Sequence, residues 1–256
     1  DLWVSLRKLI MKKLKDMKYI HKFDSESAFT AFKSSSEYLE PNVALTEDDN
    51  IVHYNRIINT NGHEYVDLGL PNGTKWATTN VGAKKPEEYG LFFQWGDTVG
   101  YTGITTDKNF SWSDYKYSAG SKDGSEFSKY SGSTDADMTL GLSDDAAHVN
   151  MGGDWHMPTD KQIQELIDNT THAVETVNGK SGMRYTSKDR TKSIFLPFAG
   201  LCFNNYHDYV GYGGYCWSSS RDLVSYGYNL YCSSNGDTNL LNDYRCYGLS
   251  VRGVLG

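Results

Sequence analysis

Apolar and polar positions alternate in short runs along most of the chain, and helical spacing emerges in only a few segments. At the start, Leu2, Leu6, Leu9, Ile10, Met11, Leu14, Met17 and Ile20 recur near helical spacing, with Arg7, Lys8, Lys12, Lys13, Lys15 and Lys18 between them. Residues 1–16 therefore read either as a basic amphipathic helix facing a membrane surface or a partner, or as a leader foreign to the fold. Cations interrupt every apolar stretch there, which does not fit a secretory signal. Residues 17–62 read as a small N-terminal module. It has a helix after the Asp24-Ser25-Glu26-Ser27 cap, then strands at 38–45 and 51–54 around the Asp48-Asp49-Asn50 turn.

From His63 a longer unit begins. Glu64 to Leu70 alternates like a half-buried strand, Pro71-Asn72-Gly73 turns it, and Lys75 to Thr78 returns as the second arm of a hairpin. Residues 98–153, rich in Gly, Ser, Asp and Tyr, read as a long irregular excursion with short strands. Thr159 and Gln162 have capping-box spacing, and Ile163, Leu166 and Ile167 supply the buried stripe of the helix that follows. Strands are expected at 193–197, 214–218, 228–232 and 249–254. One or two helices amid many short antiparallel strands and long irregular loops predict an α+β fold.

Composition narrows the function. The 256 residues suffice for one large domain with a smaller appendage. No apolar run approaches the length of a membrane span, so no transmembrane segment is expected. A net charge of −7 gives no global basic footprint for nucleic acid. Asp144, Asp145, His148, Asp154 and His156 are ligand-type residues, but no zinc-motif spacing accompanies them, and structural roles are expected. Glu40-Pro41-Asn42 spells a sugar-binding tripeptide of calcium-dependent lectins, yet it lies outside the main unit and reads as chance. No cofactor is expected.

Several ordered segments carry a family resemblance. They are Glu64-Tyr-Val-Asp-Leu-Gly-Leu-Pro-Asn-Gly-Thr-Lys-Trp-Ala-Thr-Thr-Asn-Val-Gly-Ala83, Phe93-Gln-Trp-Gly96, and Asp144-Asp-Ala-Ala-His-Val-Asn-Met-Gly-Gly-Asp-Trp-His-Met-Pro-Thr159. Leu196-Pro-Phe-Ala-Gly200, Tyr215-Cys-Trp-Ser-Ser-Ser220 and Gly248-Leu-Ser-Val-Arg-Gly-Val254 follow. Together, over 63–256, they resemble the Fibrobacter succinogenes major paralogous domain, which is similar to the C-type lectin fold and common in gut bacteria and their phages. The segments 18–23 and 38–41 look like leaders of such proteins, which makes Met17 a candidate natural start. Met151, His156 and the four cysteines (Cys202, Cys216, Cys232, Cys246) depart from the family pattern.

The cysteines coincide with a break in composition. Lys, Glu, Gln and Met number 37 in the chain, all at or before Lys192, and the last 64 residues hold none. At the upstream frequency about 12 would be expected. Randomising the first two bases of AAC codons yields NNC, which encodes none of these four nor Trp, but readily gives Tyr, Ser, Asn, Asp, His, Cys, Gly and Phe. That is the signature of diversity-generating retroelements, whose targets typically end in a C-type-lectin fold. The tail resembles such a variable region, over about 201–247.

Tyr, Ser, Gly and Asn make up 30 of residues 201–256, the mixture that supplies stiff contact area and adaptable hydrogen bonds in antibody paratopes. Leu196, Pro197, Gly200, Trp217, Leu230, Gly248, Val251 and Arg252 are the expected scaffold. Asn205, Tyr206, His207, Tyr209, Tyr212, Arg221, Asp222, Tyr226, Tyr228, Asn242, Asp243 and Tyr244 are the expected ligand contacts, Tyr and Arg the anchors. The expected partner is a cell-surface protein or glycan, met by a phage tail receptor-binding component or, alternatively, by a secreted bacterial adhesin or pilus-tip subunit. Display as a homo-oligomer, or on a larger fibre through residues 1–62, would add avidity. A fold-related enzyme of formylglycine-generating type is the third reading, weakened by cysteines without a neighbouring base. Extracellular disulfides such as Cys202–Cys216 or Cys232–Cys246 stay open.

Overall fold

The computed structural model describes residues 43–45, 51–53, 58–103 and 108–256. The expected leader over 1–16, the helix after Asp24 and most of the small module lie outside these residues. The chain divides into two units, Asp1–Ile58 and Asn59–Gly256. In the first, β1 (Val43–Leu45) pairs antiparallel with β2 (Ile51–His53), Ala44 facing Val52.

The second unit is α+β, its strands mostly antiparallel and arranged in small open sheets. The expected hairpin is present: β4 (His63–Asp67) pairs with β5 (Lys75–Ala77), Val66 opposite Trp76. On either side of it lie β3 (Ile58–Thr60) and the last strand, β16 (Val254–Leu255). A second sheet orders β7 (Thr170–Val177), β8 (Lys180–Ser187) and β9 (Ser193–Pro197). The alternation pattern assigns no strand to β7 or β8, although Asn178-Gly179, both at positive φ, is a strong two-residue hairpin signal.

The largest sheet has the order β14-β13-β12-β15-β6. It comprises β6 (Phe92–Phe93), β12 (Gly213–Arg221), β13 (Tyr226–Ser233), β14 (Thr238–Tyr244) and β15 (Leu249–Ser250). The single strand expected over 249–254 is two: β15 meets β12 and β6, then the chain crosses to the first sheet, where β16 meets β5. β10 (Leu201–Phe203) and β11 (Tyr206–Asp208) form a separate hairpin.

Among the described residues three short helices stand where one or two are expected. They are α1 (Asp135–Met138), α2 (Ala146–Met151) and α3 (Asp160–Asn169), with 3₁₀ turns at Trp112–Asp114 and Leu142–Asp144. The excursion over 98–153 is thus built from short helical turns and isolated bridges, not short strands. Its backbone is held by side chains: Asp114 accepts from the amides of Asn109, Phe110 and Ser111. α3 starts at the expected capping box, Gln162 N donating to Thr159 Oγ1 at 3.2 Å and Thr159 N to Gln162 Oε1 at 2.9 Å.

α3 turns Ile163 and Leu166 onto Val66, Leu68, Trp76, Tyr185, Leu196, Cys216, Leu230 and Cys232, which form one core. Burying each of these side chains stabilises the fold by about 1.5–3 kcal/mol. Among the described residues no helix is long and apolar enough to cross a membrane.

Candidate ligand-binding surface

The residues expected as tail scaffold are interior. Trp217, Arg252 and Val251 are fully buried, and Leu196, Pro197, Gly200, Leu230 and Gly248 are buried with them. Trp217 Nε1 donates to Phe93 O at 2.7 Å, and Trp95 Nε1 to Ser218 O at 2.9 Å, so two indoles tie β12 to β6 and the segment after it. Gly227 lies against Trp95: a Cβ there would come within 2.7 Å of the indole, so no other residue fits without movement.

Strand alternation then divides β12, β13 and β14 into two faces. Cys216, Leu230, Cys232 and Leu240 face or edge the core. Tyr215 pairs with Tyr231, Tyr231 with Asn239, Asn229 with Leu241 and Gly227 with Asp243, which places these side chains on the opposite face. There Tyr215 and Tyr231 lie 5.1 Å apart and Tyr209 is 6.2 Å from Tyr215. Asn239 and Leu241 are exposed beside them. Tyr215, Tyr231, Asn239 and Leu241 are absent from the expected contacts. Tyr215 shares a strand face with buried Trp217, so alternation alone reads it as inward. It is instead half-buried, with the rings of Tyr209 and Tyr231 beside it.

A second aromatic line starts at the other end of these strands. Tyr226 stacks on Tyr244 at 4.6 Å, Tyr244 meets Tyr247 at 5.5 Å, Tyr247 meets Phe203 at 5.2 Å and Phe203 meets Tyr206 at 5.8 Å. The rings join the sheet edge to the β10–β11 hairpin. Tyr206, Tyr209 and Tyr212 are the most open tyrosines, at 61%, 56% and 70% exposure.

The remaining expected contacts separate by chemistry. Asn205 is exposed, but it occupies the β10–β11 turn with Asn204, both at positive φ, so the turn itself favours Asn there. His207 is half-buried, its Nε2 2.9 Å from Ala199 O and its ring against Phe92. Asp222 accepts from Tyr228 Oη at 2.9 Å and Asn242 Nδ2 at 2.5 Å, a closed polar triad.

Arg221 is a correction. It is 3% exposed: it pairs with Gly227 as Trp217 pairs with Asn229, so it lies on the face of buried Trp217, and the irregularity between them leaves that face unchanged. Its Nη2 donates to Gly132 O and approaches Met138 Sδ, so it is an interior residue and not a surface anchor.

All four cysteines are free and buried. Burial pushes the Cys202 thiol up to about 12 and the Cys216 thiol up to about 11. It also raises Cys232 and Cys246, which makes all four poor nucleophiles near neutral pH. The carboxylates at 144 and 145 are committed to structure. Asp144 accepts from Tyr130 Oη at 2.7 Å and Lys116 Nζ at 3.1 Å, and also from Tyr117 and Lys129. Asp145 caps α2 through His148 N and also accepts from Met157 N. Among the described residues no group of three or more His, Cys, Asp or Glu could hold a metal ion. No family model, curated protein or solved structure matches the chain.

Proposed function

We propose that this is a non-catalytic ligand-binding protein whose C-terminal segment displays a diversified, tyrosine-rich recognition surface on a C-type-lectin-like domain. One observation carries the reading. The segment that lacks Lys, Glu, Gln and Met sets open tyrosines at 206, 209, 212 and 244 on a buried scaffold that includes Trp217, Val251 and Arg252. A region selected only to fold has no reason to combine that codon restriction with open tyrosines at 206, 209 and 212. Tyrosine gives large contact area at low entropic cost, and a rigid sheet beneath it spares the ordering penalty on binding. Four buried thiols with raised pKa support the non-catalytic reading.

We read the display as a receptor-binding component of a phage tail or, alternatively, a secreted bacterial adhesin or pilus-tip subunit, a reading supported by the resemblance of its sequence motifs. The ligand is then a macromolecule on a target cell.

Deep sequencing of the gene's 3′ end across its source population tests the proposal. The expected result is substitution confined to adenine positions of tail codons, concentrated at exposed sites such as 206, 209, 212 and 239, with 63–192 constant. An invariant tail, or changes spread evenly over buried and exposed positions, would overturn it.

A further inference from the structure

The charges of the tail are distributed unevenly between its interior and its surface. Its cationic side chains other than His207 are Arg221, Arg245 and Arg252, and all three are buried. Arg252 donates to Asn80 Oδ1, Ala77 O and Phe195 O at 2.9–3.0 Å. Arg245 donates to Tyr115 Oη and to the carbonyls of Tyr130, Val224 and Lys129, its guanidinium over the rings of Trp95 and Phe127. The four aspartates, Asp208, Asp222, Asp237 and Asp243, are exposed or half-buried. The tail therefore presents carboxylates and phenols outward, and no Lys or Arg.

Asp243 is the carboxylate that the fold leaves underprovided. Asp222 has two side-chain donors, whereas among the described residues Asp243 accepts only from Asn229 Nδ2 at 2.9 Å. Asn229 is itself fully buried, and its Oδ1 has no hydrogen-bond partner among the described residues. A buried amide oxygen without a donor and a half-buried carboxylate with one donor are both costly. They adjoin on the same sheet face, joined by the Asn229–Asp243 hydrogen bond. A carboxylate with spare acceptor positions is what a cationic donor requires, because an ammonium or guanidinium brings several N–H groups.

We propose that this face takes a lysine or arginine side chain of a protein ligand at its half-buried rim, with Asp243 as the acceptor and Asn229 holding that carboxylate from beneath. The inference rests on the reading of the tail as a binding surface and names its partner as a protein with a basic patch. Acidic glycans find no exposed Lys or Arg here, and a neutral glycan would leave the carboxylate uncompensated.

Panning the full chain against a random-peptide display library tests this. Selected peptides should be enriched in Lys and Arg, release as ionic strength rises, and lose affinity about tenfold or more with Asp243→Asn, which keeps the shape and removes the charge. Asp243→Ser gives an independent variant. Competition by L-arginine amide on the unaltered protein needs no variant and should displace the peptides. Peptides without basic enrichment that depend on Tyr209 and Tyr215, but not on Asp243, would overturn this inference and leave the binding-surface reading standing. Peptides insensitive to every tail substitution would overturn both.

Discussion

Asp144 and Asp243 are both carboxylates drawn out of bulk water, and their surroundings could hardly differ more. At Asp144 burial alone would push the carboxyl up, but Lys129, Tyr117, Tyr130 and Lys116 together hold it well below the usual carboxylate range. At Asp243 burial prevails over its one donor, Asn229, and pushes the carboxyl up to about 6. The first site is self-sufficient: every strong acceptor has its donor inside the chain, and an irregular excursion is fixed by that closure. The second is incomplete among the described residues. A domain that must hold its shape under changing surface residues needs sites of the first kind, and one that must bind needs sites of the second.

The comparison breaks most visibly at Asp144. Asp144→Ala strands two lysines and two buried phenols, and urea unfolding should show a loss of about 3 kcal/mol. The pH dependence should then separate the two carboxylates by sign. Asp144, with its lowered pKa, contributes stability that is present above the unfolded value of about 3.9 and lost as pH falls below it. Asp243, with its raised pKa, carries a cost that is present above about 6 and relieved as pH falls from about 6 to about 4. Stability curves of each variant against the unaltered protein should show those opposite slopes. Asp243→Asn should raise stability at pH 7 by about 1 kcal/mol, a smaller effect because the amide is also desolvated. Tyr212→Ala and Tyr206→Ala should be smallest, within about 0.5 kcal/mol. Loss of several kcal/mol at either tyrosine would place it in the core and undo the distinction.

Much of the scaffold was legible in residue order. Thr159 with Gln162 predicts the helix start, and Pro71-Asn72-Gly73 predicts the turn between β4 and β5, because caps and turns are local. Alternation locates β9 and the centres of β12 and β13. What it missed depends on partners distant in sequence. The excursion over 98–153 carries no periodicity because side chains such as Asp114 and Asp144, not strand pairing, hold it. The break between β15 and β16 arises where the chain changes sheets.

The binding surface was legible as a composition and only partly as positions. Tyr206, Tyr209 and Tyr212 lie where their polar, turn-rich context suggests. Arg221 does not: it keeps the face of buried Trp217 through the irregularity in β12, so alternation counted from Trp217 turns it inward, where its polarity alone suggests a surface contact. Tyr215 and Tyr231 escape the sequence reading for another reason: they alternate with core residues, and only the structure shows them half-buried on the opposite face. Asp243 was named as a contact for its polarity, yet its significance lies in Asn229, whose missing partner is visible only in three dimensions.

The central claim is that the tail is a fixed scaffold beneath a permissive surface. A saturation scan of residues 193–256, read out by folding alone on a display platform, tests it most directly. The account predicts that 206, 209, 212, 239 and 241 accept nearly any residue, while Trp217, Gly227, Arg245 and Arg252 accept almost none. Comparable intolerance at both sets of positions would contradict it.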